Sequence, residues 1–140
     1  MKKPEERIGM VKPDVQQMLQ ARDALIDMAG NLRKLKQQKV DQLSINDIAK
    51  INQAIVDTLS KASAVHAKTI GSRAGNIRNC ISRIDDAKKA LSSAVDTAGR
   101  VKNVMKIAEP VVQLASAVAL GDVQSIIRSA GDVIDAAKVG

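Results

Sequence analysis

Ile45, Ile48, Ile51, Ile55, Leu59, Ala62 and Val65 recur at steps of three and four residues, and this spacing constrains the chain more than any other feature. Such steps return to one side of a helix, whereas a half-buried strand needs strict alternation. Ser44, followed three residues later by Asp47, resembles a capping box that would open this helix, with Leu43 placed as a hydrophobic staple. Ahead of it, Pro13 and Asp14 suit the first turn of another helix. Val15, Met18, Leu19, Leu25, Ile26, Ala29 and Leu32 then keep helical spacing, and the pattern runs to about Lys39.

Farther along, Ile77, Ile84, Leu91, Ala98 and Met105 repeat every seven residues. Asp85 to Lys89 and Asp96 to Arg100 are acid-before-base pairs four apart, the favoured order on a solvated helix face. Pro110 lacks the backbone donor a helix interior needs, so it is expected to end or kink this helix. In the last segment Val123, Ile126, Ile127, Ala130, Val133, Ile134 and Ala137 form a stripe, and Gly121 followed by Asp122 reads as a helix stop and a new N-cap.

No segment alternates as a strand would. The expected fold class is all-α, an antiparallel helical bundle of about four main helices with the last one broken near Gly121. Gly71 and Gly75 leave an alternative open. If the chain does not turn there, one long central helix over 45–108 would make an elongated rod. Residues 1–12, with Pro4 and Gly9 among mixed charges, read as a flexible arm, and 13–140 as a single domain.

Composition matters most for what it removes. The chain has no Phe, Trp or Tyr. Its core must be built from Leu, Ile, Val, Met and Ala, side chains that permit close helix approach. At 14.9 kDa, area scaling gives roughly 7,000 Å² exposed when folded against roughly 22,000 Å² unfolded, enough burial for one core without disulfides or metal. Without rings the chain lacks the usual platforms for stacked bases, for membrane interfaces and for binding hot spots.

Chemistry is sparse. His66 and Cys80 are the only histidine and cysteine, and they do not make a zinc site. Cys80 reads as a small buried hydrophobe rather than a nucleophile. "GSRAG" over 71–75 lacks the lysine-serine ending of a P-loop. The expectation is no catalysis, no cofactor and no metal. The start "MKKPEERIGM" shows no apolar stretch behind its lysines, so a cytoplasmic location is expected, with export independent of a Sec signal as the alternative.

The net charge is +7. Residues 71–108 hold eight basic and three acidic groups, whereas 109–140 hold two basic and four acidic. Arg33, Lys34, Lys36 and Lys39 form a basic cluster, the candidate for contacting an anion. Between Glu109 and Asp122 lie twelve residues without a charge, the longest such run. Twelve residues span about 18 Å of helix, too little for a bilayer core of about 30 Å. The run is expected to be a core helix, yet Val111, Val112, Leu114, Ala115 and Val118 are also the candidates for contact with a partner or a membrane.

The function expected is that of a non-catalytic interaction or self-assembly protein that binds a protein partner or forms a homo-oligomer. The alternatives are a membrane-active subunit of a helical pore-forming assembly, with 110–120 inserting, and a weak, non-specific nucleic-acid binder. Nucleic acid is the least favoured partner, because only counterion release would drive its binding. A filter-binding or fluorescence titration with duplex DNA should therefore show weak affinity that vanishes near physiological salt. Tight, sequence-selective binding at that salt would contradict the reading.

Overall fold

The computed structural model describes residues 13–65, 80–96 and 104–139. Among them are five α-helices, one 3-10 turn and no strand: α1 (Pro13–Gln38), η1 (Val40–Gln42), α2 (Ile45–Ser63), α3 (Ile81–Asp96), α4 (Val104–Leu120) and α5 (Val123–Val139). The all-helical expectation holds. The arm at 1–12, the glycines at 71 and 75, His66 and Arg73 lie outside the described residues.

α1 and α2 occupy the spans their apolar spacing marks out. Between them Gln42 donates to the Lys39 carbonyl at 2.9 Å, and Leu43 to that of Val40 at 3.3 Å. Ser44 then caps α2, its Oγ accepting from the Asp47 N–H at 3.0 Å, and Leu43 packs against the core. At the far end, Ala64 N–H reaches the carbonyls of Ser60 and Lys61, and Val65 N–H that of Ala62. α2 ends at Ser63, so the rod with one helix over 45–108 does not form.

The seven-residue repeat spans two elements rather than one. Ile84 and Leu91 are fully buried in α3, but Met105 belongs to α4. Of the two outcomes expected at Pro110, an end or a kink, the end does not occur, because Pro110 lies inside α4. The reason is burial on both sides of it. Val104, Ile107 and Ala108 precede the proline and Val111, Leu114, Ala115 and Val118 follow, all buried. An internal proline costs about 3 kcal/mol, whereas each fully buried Val, Leu or Ile contributes about 1.5–3 kcal/mol. Unwinding the first turn would uncover more than the proline costs. Pro110 also lines a surface groove with Lys106 and Gln113, on the side of α4 that meets solvent.

The break at Gly121 is as expected. Gly121 N–H bonds the Val118 carbonyl and Asp122 N–H that of Ala117, both at 3.1 Å. This Schellman pattern needs a left-handed residue, and Gly121 supplies it with φ of 71°. Asp122 then caps α5, its carboxylate accepting from the Ser125 N–H at 3.3 Å and the Ser125 hydroxyl at 3.0 Å.

Packing joins α1 with α2, α3 and α4, α4 with α2 and α5, and α5 with α3. Buried residues from all five helices form one cluster, with Leu25, Met28, Leu32, Ile51, Ile84, Leu91, Ile107, Leu114 and Ile126 among the largest side chains. At the rim Lys36 donates to Asn52 at 2.7 Å, tying α1 to α2. Lys89 reaches Asp85 at 3.0 Å, the pair expected from the sequence.

The hydrogen bonds from Ser125 hold the Asp122 carboxyl below the ordinary aspartate value of 3.8, and the bond from Lys89 does the same for Asp85. A carboxyl lowered in the folded state contributes stability above its unfolded pKa and loses it as pH falls through the folded one. Asp122→Asn keeps a capping side chain but removes the titration. Thermal melts between about pH 4 and pH 2 should show a smaller loss of stability for Asp122→Asn than for the parent. Equal losses would mean that the cap does not titrate in the acid transition.

Candidate functional site

The groups that could carry chemistry are dispersed or enclosed. Cys80 is fully buried, and its surroundings push the thiol pKa up, which disfavours the thiolate. Thr58 is fully buried in α2, and its hydroxyl has no hydrogen-bond partner. No group of three or more His, Cys, Asp or Glu among the described residues could hold a metal ion.

Two shallow grooves cross the surface. One, of about 560 Å³ between α1 and α3, is lined by Asp27, Gly30, Lys34, Lys88 and Lys89 among others. Its Lys88 is held by Asp85 at 3.6 Å and Asp27 at 4.0 Å. The other, of about 390 Å³ between α4 and α5, is lined by Lys106, Glu109, Asp132 and Asp135 with Pro110. Both are solvent-open and dominated by polar or charged side chains, unlike the enclosed, mostly apolar pockets that take small molecules.

The structure places the two sets of candidate residues differently. Val111, Leu114, Ala115 and Val118 are fully buried in α4, and Val112 is half-buried against the core. In this fold they belong to the shared core cluster or its border. No helix among the described residues is long and apolar enough to cross a membrane. The basic cluster is scattered. Arg33 and Lys34 are exposed, Lys36 is bonded to Asn52, and Lys39, beyond the end of α1, is only 8% exposed. Arg33 and Lys36, three apart, are neighbours on a helix, but the bond to Asn52 draws Lys36 to the rim with α2, and Lys39 is covered past the end of α1. Of the basic residues in 71–108, Arg83 and Lys89 are exposed, and Lys88 is partly covered by its two acidic neighbours.

What the structure leaves outside is aliphatic. Among the described residues the exposed large apolar side chains are Ile26, Val40, Ile45, Val56, Leu120 and Ile127. Single exposed aliphatics are ordinary. Three of these six fall between residues 40 and 56, Val40 in η1 and the other two in α2, where Ile45 is 88% and Val56 58% exposed. They stand eleven residues apart, which is three turns and about 20° from alignment. Ile45 was expected on the buried stripe, but as the first residue of α2 it lies beyond the layer that Ile51 and Ile55 enter. Val56 was legible as an aliphatic on the shoulder of that stripe, beside the buried Ile55.

Comparisons with protein-family models, curated proteins and solved structures give no match. The surface of α2 is thus read from its chemistry alone.

The assignment of 110–120 to the core has a direct consequence. Leu114→Asp places an unpaired charge in an apolar site, at a cost of several kcal/mol against the roughly 5–15 kcal/mol that stabilise a domain of this size. It should sharply lower the melting temperature or prevent soluble expression. An unchanged melting temperature would return the stretch to the surface.

Proposed function

We propose that this chain is a non-catalytic helical interaction protein, acting through contacts with another protein or with further copies of itself. The helices would form a closed bundle in which α1 and α2, and α4 and α5, run antiparallel. The short connections at 39–44 and 121–122 support this, since short links place consecutive helices side by side in opposite directions. The observation that carries the functional reading is the exposure of Ile45 and Val56 on one side of α2. These two β-branched side chains stand in water on one helix, three turns apart. We read them as part of a binding surface, the role that contiguous exposed apolar patches serve.

The test is sedimentation velocity on the purified chain over about 1 μM to 1 mM, the range of specific but modest affinities. It is repeated with the products of neighbouring genes added. Self-association, or a stable complex with one of those products, is expected. A chain that remains monomeric alone and in every mixture would overturn the reading.

A further inference from the structure

We draw no further inference here: the strongest candidate, the exposed face of α2 that holds Ile45 and Val56 with Asn52 bonded to Lys36 between them, belongs to the surface already described, and nothing in the structure shows what covers it.

Discussion

The structure depends on how closely α4 can approach its neighbours. It packs against α1, α2 and α5 and buries Val104, Ile107, Ala108, Val111, Leu114, Ala115, Ala117 and Val118. Six of those eight are valine or alanine, so the contacts are made near the backbone rather than by long side chains. With no aromatic residue to fill a wide gap, a core of this type reaches native density only if the helices sit close. Val111, Leu114 and Val118 recur at three- and four-residue steps on α4, which lets facing rows interdigitate. The twelve-residue uncharged run holds five of those eight buried residues, Val111, Leu114, Ala115, Ala117 and Val118.

The same requirement accounts for the proline. Pro110 interrupts the hydrogen-bond ladder of α4 without ending it, because buried side chains on both sides keep the helix registered against its neighbours. The interruption lies where α4 borders the groove with Asp132 and Asp135, so the carbonyl that loses its donor is near solvent. A proline on the buried side of α4 would also have left that carbonyl dry. Local preference and tertiary packing disagree here, and packing decides.

Much of this was legible in the residues. The ends of α1 and α2, the serine cap at 44, the Asp85–Lys89 pair and the turn at Gly121 are local effects. Each is determined by a few neighbouring residues whose preferences agree. What was not legible depends on comparing distant parts. The heptad through Ile84, Leu91 and Met105 continues in phase across two helices, so periodicity alone shows no boundary between them. The basic cluster shows a different limit. Adjacency in sequence groups Arg33, Lys34, Lys36 and Lys39, but Lys36 is taken up by Asn52 and Lys39 is covered past the end of α1. The exposure of Ile45 was hidden because an aliphatic in line with a buried stripe looks like part of it until the neighbours on each side are known.

α2 shows how one polar residue adds to an apolar pattern. Its buried face, Ile51, Ala54, Ile55, Thr58 and Ala62, joins the cluster shared by all five helices, although it encloses the Thr58 hydroxyl without a partner. Another face holds Ile45 and Val56 in water with Asn52 between them, whose side-chain oxygen accepts from Lys36 at the rim. Turning α2 to bury that face would carry Asn52 inward, away from the lysine that satisfies it. A buried amide left without partners costs more than an aliphatic left in water. Asn52 therefore acts with the apolar stripe to keep that face outside, and leaves its flanking aliphatics exposed.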